Sequence, residues 1–245
     1  MNTTEFSMSK QNSYIAIIPA RGGSKRLPGK NLLKIAGKPL IAWTIEAALK
    51  SDMFEQVYVN TDSEDIVRIA KQYGAVVPFL RPPELAQDQT TTVSVLEDMI
   101  LRLRETGDSE LSHLTLLQAT SPLRSAQDII KATNFLESNK ADAVVSICRT
   151  EHSPLWSNTL PENGSLDNFI PDSILKTRSQ ELPSYYRLNG AIYICSIQRM
   201  MEEKTLFLSS NCFGYIMSRK NSIDIDDEID FELADIYLRR SKASM

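Results

Sequence analysis

Histidine and cysteine are scarce in this chain of 245 residues, which has two of the first and three of the second. Cys148, Cys195 and Cys212 are far apart and odd in number, without the close pairing of zinc ribbons or secreted disulfide frameworks. A reducing cytoplasm is therefore the expected setting. His113 and His152 have no carboxylate or cysteine at ligand spacing and read as surface or structural residues, so nothing local supports a Ser-His-Asp or Cys-His nucleophile. An excess of positive charge is missing too, with 27 Lys+Arg against 31 Asp+Glu and a net charge of −4. That balance argues against nucleic acid or an anionic membrane as the main partner. No apolar run approaches the roughly 18 residues of a membrane span. Residues 1–13 are polar, lack the apolar stretch of a signal peptide, and predict a flexible tail. Neither G-x-x-x-x-G-K-[ST] nor G-x-G-x-x-G occurs, so neither of those phosphate-binding motifs can be invoked.

What is present is an alternation of short β-branched runs with longer amphipathic stretches. Strands are expected at 14–19 (YIAIIP), 56–60 (QVYVN), 75–79, 114–118 (LTLLQ) and 143–147. Between them, 40–49, 62–72, 92–104 and 125–136 carry apolar residues at helical spacing, and Ser125 with Asp128 forms a capping box. This is the pattern of an α/β fold: a mostly parallel sheet flanked by helices, in one domain over 14–245. The rhythm breaks at 150–187, rich in Pro, Ser, Asn and charge, which reads as an inserted excursion from the sheet. It resumes with 188–195 (LNGAIYIC), a short helix, 214–218 (GYIMS) and a final amphipathic helix from about 228 to 240.

Charge is distributed unevenly. From Arg21 to Lys38 there are six cations and no acid. Directly after the first strand, ARGGSKRLPGKN supplies Gly22, Gly23 and Gly29, which let backbone N–H groups approach an anion. In open α/β sheets ligands sit beyond the carboxyl ends of strands, where this loop must lie. A solvated basic turn is the alternative. Conversely, Asp224 to Asp235 holds seven acids and no Lys or Arg. Asp227 and Glu228 suit a helix start. In Ile223-Asp224-Ile225-Asp226 an extended segment would present both carboxylates on one face, which suits Mg²⁺ beside substrate phosphates; a solvated acidic run is the other possibility. Gln118, Thr120 and Ser121 in LLQATSPLR end a buried strand and are placed to read a ligand or to cap a turn. Asn189 and Gly190 in RLNGAIY suit turn chemistry and binding equally.

The chain closely resembles the CMP-sialic acid synthetases, or acylneuraminate cytidylyltransferases, and their relatives that activate legionaminic and pseudaminic acids. The likeness runs through IPARGGSKRLPGKN, NTDSEDI, FLRPPELAQD, LLQATSPLR, LNGAIYI and SIDIDDEID, in the family's order, from about residue 14 to 238. It implies a Rossmann-like nucleotidyltransferase fold and transfer of CMP from CTP to the anomeric hydroxyl of a nine-carbon 2-keto acid sugar, with release of pyrophosphate. By the same resemblance, Arg21, Ser24 and Lys30 hold the phosphates, Asn31 contacts the nucleotide, and Arg81 with Thr92 lies near the cytidine. Gln118, Arg178 and Tyr193 face the sugar acid. Asp224 and Asp226 hold Mg²⁺, and Arg21, Lys30 and Asp226 are the residues closest to catalysis. The 150–187 excursion becomes a dimerisation lobe, giving a homodimer. Arg26, Ala119 and Leu188 depart from common family residues and bear on the choice of sugar. Cytidylyl transfer to the eight-carbon acid KDO is the enzymatic alternative, against which Asn31 and LNGAIY speak. A silent nucleotide-binding regulatory protein is the other, against which the intact Arg21, Lys30, Gln118, Asp224 and Asp226 speak.

Overall fold

The computed structural model describes residues 12–107 and 111–243. The tail expected at 1–13 lies almost entirely outside them. In chain order the elements are β1 (Tyr14–Pro19), a two-stranded hairpin of β2 (Lys34–Ile35) and β3 (Lys38–Pro39), α1 (Leu40–Ser51), β4 (Gln56–Asn60), α2 (Glu64–Gln72), α3 (Thr92–Glu105), β5 (His113–Leu116), α4 (Ala126–Ser138), β6 (Ala143–Arg149), the single turn α5 (Asp172–Leu175), β7 (Tyr186–Ser196), α6 (Ile197–Glu203), β8 (Cys212–Met217) and α7 (Glu228–Ala243).

Six strands form one sheet in the order β4-β1-β5-β7-β6-β8. β1 runs parallel to β4 and β5, and β6 parallel to β8. Only β7 is antiparallel to its neighbours. From β4 to β6 the sheet is largely buried on both faces because its strands are apolar at successive positions, while the edge strand β8 leaves Phe213 and Ile216 exposed. In β1, Ala16 and Ile18 pack with α1, α2 and α4, while Ile15 and Ile17 pack with α3 and α6. Leu96, Met99, Ile100 and Leu103 give α3 a helical stripe against that second face. A third cluster joins the β2–β3 hairpin to α7 through Ile35, Leu40, Ile225, Ala234 and Leu238.

The expected strand at 75–79 is not one. Val76 makes a single parallel bridge to Tyr58, donating to Val57 O and accepting from Val59 N, both at 2.9 Å. The next bond of such a ladder would be donated by residue 78, which is Pro and has no N–H. The capping box of α4 is present: Asp128 N donates to Ser125 Oγ at 3.2 Å, and Ser125 N to Asp128 Oδ2 at 2.9 Å. The segment 150–187 leaves the sheet after β6 and returns at β7, its base closed by Thr150 N donating to Tyr185 O. Among its described side chains none is buried, and Leu160, Leu166 and Leu175 are each 64% exposed.

Candidate active site

Beyond the carboxyl end of β1 the chain turns through the basic loop, whose shape is set by short-range constraints. Gly22 N donates to Asp62 Oδ1 at 2.8 Å, and Asn31, buried, donates through Nδ2 to Arg21 O at 3.0 Å. Gly29, with φ of 65°, takes the left-handed conformation that starts the turn Lys30–Leu32. The loop cations meet acids from two distant segments. Arg21 Nη1 lies 2.8 Å from Asp88 Oδ1, and Lys25 pairs with the same carboxylate. These two cations, Lys25 first, hold the Asp88 carboxyl below its ordinary value. Arg26 Nη1 lies 3.1 Å from Asp226 Oδ2. Lys30 Nζ donates to Ile225 O at 2.5 Å; burial lowers its ammonium pKa, and the charges of Asp226 and Asp224 oppose that shift.

The acidic segment lies across the cleft as its alternation predicts. Ile225 is fully buried and Ile223 partly so, while Ile225 N donates to Thr120 O at 2.9 Å. Asp224 and Asp226 both face the cleft. Burial raises the Asp224 carboxyl above its ordinary value; the neighbouring charge of Asp226 adds to this, while the Thr120 hydroxyl and Lys30 act against it. Asp227 has the separate role expected of a helix start, its Oδ1 accepting from Asp230 N at 3.1 Å.

Three clefts adjoin one another here. The central one, approximately 300 Å³, is lined by Arg21, Ser24, Lys30, Asn31, Thr92, Gln118, Asp224 and Asp226. A second, approximately 250 Å³, shares Pro19, Arg21 and Thr92 with it and adds Arg81, Asp88 and Thr90. The third, approximately 650 Å³, shares Asp224 and Asp226 and is bordered by Glu151, Arg187, Arg219, Lys220, Asp230 and Tyr237. Thr92 is the first residue of α3, so the N-terminus of that helix opens onto the first two clefts. Arg81 is buried and donates to Asn60 Oδ1 at 2.5 Å and Asn60 O at 2.8 Å, which ties the second cleft to the end of β4.

Two expected residues lie elsewhere. Tyr193 is a core residue, stacked edge-on against Phe207 at 6.0 Å; burial raises its hydroxyl pKa, and the charge of Asp224 adds to that. Arg178 is exposed on the 150–187 segment, outside the three clefts. Other residues shape the surroundings of the site. Gly190, with φ of 72°, sits so close beneath the cleft that a Cβ would lie 2.7 Å from Gln118 Oε1 and 3.1 Å from Asp224 Oδ2. Arg124, 2% exposed, donates from Nη1 to Gln118 O at 3.2 Å and to Ala191 O at 3.0 Å, joining the chain beyond β5 to β7. Burial pushes its guanidinium down to about 9. Arg187 binds Glu151 through two nitrogens, each at 3.2 Å, and Arg219 approaches the same carboxylate at 3.5 Å. The residues themselves are visible in the sequence; their depth and neighbours come from the fold.

The donor set fits a hard divalent cation. Among the described residues no group of three or more His, Cys, Asp or Glu is arranged to hold a metal alone. Two adjacent carboxylates beside a cation-lined cleft are instead what a cation needs when phosphate oxygens and water complete its shell. Burial, more than the neighbouring charge of Asp226, raises the Asp224 carboxyl, so a bound cation would favour its ionised form.

The sequence pattern of the Cytidylyltransferase family matches residues 15–212. This chain belongs to that family. The CMP-N,N'-diacetyllegionaminic acid synthase of Legionella pneumophila is 38% identical over 231 residues, covering 94% of this chain and 98% of that protein. The pseudaminic acid cytidylyltransferase of Campylobacter jejuni is 32% identical over 225 residues, covering 92% and 96%. The N-acylneuraminate cytidylyltransferase of Escherichia coli is 40% identical over 225 residues, which are 91% of this chain but 52% of that longer protein. Among solved structures, a CMP:2-keto-3-deoxy-manno-octonic acid synthetase complexed with CTP superposes with a TM-score of 0.70 at 18% identity, covering 94% of this chain and 100% of that one. The 4-diphosphocytidyl-2C-methyl-D-erythritol synthase of Anaerococcus prevotii gives 0.63 at 15%, covering 94% and 99%. At such identities the structures speak for the fold, the mostly parallel sheet flanked by helices.

Proposed function

We propose that this cytidylyltransferase transfers CMP from CTP to the anomeric hydroxyl of a nine-carbon 2-keto acid sugar of the sialic, legionaminic or pseudaminic type. The observation that carries this is the order of the three clefts. A carboxylate pair stands between a nucleotide-sized space fed by the basic loop and a wider space bordered by Arg187, Arg219 and Lys220. That wider space has room for a sugar, and Arg187, Arg219 and Lys220 offer its acid group cations, two of them shared with Glu151.

In this proposal Arg21, Ser24 and Lys30 bind the triphosphate, and Asn31, Arg81 and Thr92 shape the nucleotide side. The anomeric oxygen forms a bond to the α-phosphorus as the bond to pyrophosphate breaks, and the hydroxyl proton leaves to solvent. Arg21 and Lys30 offset the charge gathering on the leaving group, a role that needs fixed cations and no protein nucleophile. Mg²⁺, held by Asp224 and Asp226, would supply further neutralisation of the triphosphate. Gln118 lies between the nucleotide and sugar sides. Tyr193, packed in the core on Phe207, is left without a direct contact to the sugar in this proposal. The 150–187 lobe, with its exposed leucines, joins two copies into a homodimer, and a role for Arg178 at the sugar depends on that lobe. The reaction belongs in the cytoplasm, with neither nucleic acid nor membrane as a partner.

Pyrophosphate release from CTP, measured in parallel with sialic, legionaminic and pseudaminic acids and with KDO, tests the assignment. Turnover with one of the nine-carbon acids and little with KDO is expected. Preference for KDO, or comparable turnover with UTP or ATP as donor, would contradict it.

A further inference from the structure

The register of β7 against β6 changes abruptly beside the site. Val145 pairs with Tyr193, but Ile147 pairs with Leu188, so residues 189–192 stand opposite the single Ser146. Bulges of this kind re-aim side chains, and here the re-aimed side chain is Asn189, 1% exposed. Its Oδ1 accepts from Ser146 Oγ at 2.6 Å and from Ala191 N at 3.2 Å. Its Nδ2 donates to Ser222 Oγ at 2.9 Å, with Met217 Sδ at 3.4 Å beside it.

Each proton in this network has one place to go. Ala191 N–H can only donate, which fixes Oδ1 as the acceptor and Nδ2 as the donor. Ser222 gives its own hydroxyl proton to Ser218 O at 2.7 Å, so its lone pair must receive Asn189. Ser146 receives Ile192 N at 2.8 Å and gives its proton to Asn189. Ser222 stands two residues before Asp224, and the segment's next backbone anchors are Ile225 N to Thr120 O and Lys30 Nζ to Ile225 O. The bulge thus acts on the acidic segment twice: Asn189 ties down its start through Ser222, and Gly190 leaves room for the Asp224 carboxylate.

We infer that Asn189, acting through Ser222, is a positioning residue for the Asp224–Asp226 pair, and that its contribution is read out as divalent-cation affinity. The inference rests on the assignment of that pair as the metal site. A donor set of only two protein carboxylates gains affinity when their separation and direction are held before the cation arrives. Removing the tie leaves both carboxylates in place but lets them spread.

The test is Mn²⁺ binding to the protein with CTP bound and the sugar acid left out, so that phosphate oxygens complete the shell, followed by the enhanced water-proton relaxation that protein-held Mn²⁺ gives, in Ser222→Ala, with Asn189→Asp as a second variant. Asp226→Asn defines the site. Thr133→Val is the control, because it removes a buried hydroxyl bonded within α4 at 3.1 Å with no connection to the acids. The dissociation constant should rise about tenfold in Ser222→Ala, the lower end of what is lost when groups that orient metal ligands are removed. Thr133→Val should leave it unchanged. In turnover assays the Ser222→Ala loss should appear as a raised Mg²⁺ requirement, with kcat recovering at high metal. A Mn²⁺ site that Asp226→Asn abolishes, but that Ser222→Ala binds as tightly as wild type, would overturn the positioning role alone. Equal weakening in Thr133→Val would overturn it as well, by making the loss one of general stability. No Mn²⁺ site sensitive to Asp226→Asn would remove the metal assignment and the inference together.

Discussion

At the scale of single residues, the site depends on groups held where their own preferences are opposed. Burial favours the protonated form of Asp224 in the folded chain. A raised carboxyl pKa contributes stability that is fully present below the unfolded-state value and is lost as pH rises through the folded value. At neutral pH the metal-free protein therefore carries this charge as a strain. Asp224→Asn should raise the melting temperature of metal-free protein at pH 7, the gain shrinking toward acid pH, while abolishing the stabilisation that Mg²⁺ gives the wild type. Equal melting of the two proteins at pH 7 would contradict the account. Gly190→Ala places a Cβ 2.7 Å from Gln118 Oε1 at a φ of 72°. The left-handed conformation alone should lower stability by about 1–2 kcal/mol in urea denaturation. Moving Gln118 and Asp224 apart should reduce turnover by about a hundredfold. Unchanged turnover would show that the close approach has no bearing on the reaction. Asp224 and Asp226 were legible because alternation within four residues is local. Gly190 fitted a turn and a binding role equally, since the neighbours that define its place, Gln118 beyond β5 and Asp224 of the acidic segment, are distant in sequence.

At the scale of elements, periodicity located the strands and helices, and the exceptions have physical causes. Pro78 falls where the next ladder bond must be donated, which a sequence shows only once the partner's register is known. The β7 bulge is likewise invisible from within LNGAIYIC, because a register shift is a relation between two strands. The end of α4 was legible for the opposite reason: its box is closed within four residues. Ser125→Ala should destabilise the protein by about 1 kcal/mol in urea denaturation. Pyrophosphate release should stay near wild type, since Ser125 lies outside the three clefts. A loss of activity larger than the loss of stability would mean that the turn carrying Arg124 depends on the box.

At the scale of the whole molecule, cations from the first loop and acids from residues more than 190 positions later meet across one sheet, a convergence that Lys30 Nζ on Ile225 O records directly. The 150–187 lobe meets that arrangement at its base, where Glu151 and Arg187 border the third cleft, and has no described side chain buried and three leucines open to solvent. Light scattering at micromolar concentration should give twice the 27.6 kDa of the chain. Replacing Leu160, Leu166 and Leu175 together by Asp should halve that mass. A fully active monomer would reject the dimer.

The carboxylate pair is the hinge of the account, and two neighbouring substitutions test it most directly: pyrophosphate release by Asp226→Asn and by Asp227→Asn, with the melting temperature of each. Asp226 faces the clefts, whereas Asp227 caps α7, a task Asn performs as well as Asp. Asp226→Asn should lower the rate by at least about a hundredfold with melting within a few degrees of wild type, while Asp227→Asn stays close to wild type in both. Equal losses at the two positions, or a collapse of stability at Asp226, would show that the acidic run serves the fold and that the reaction is organised elsewhere.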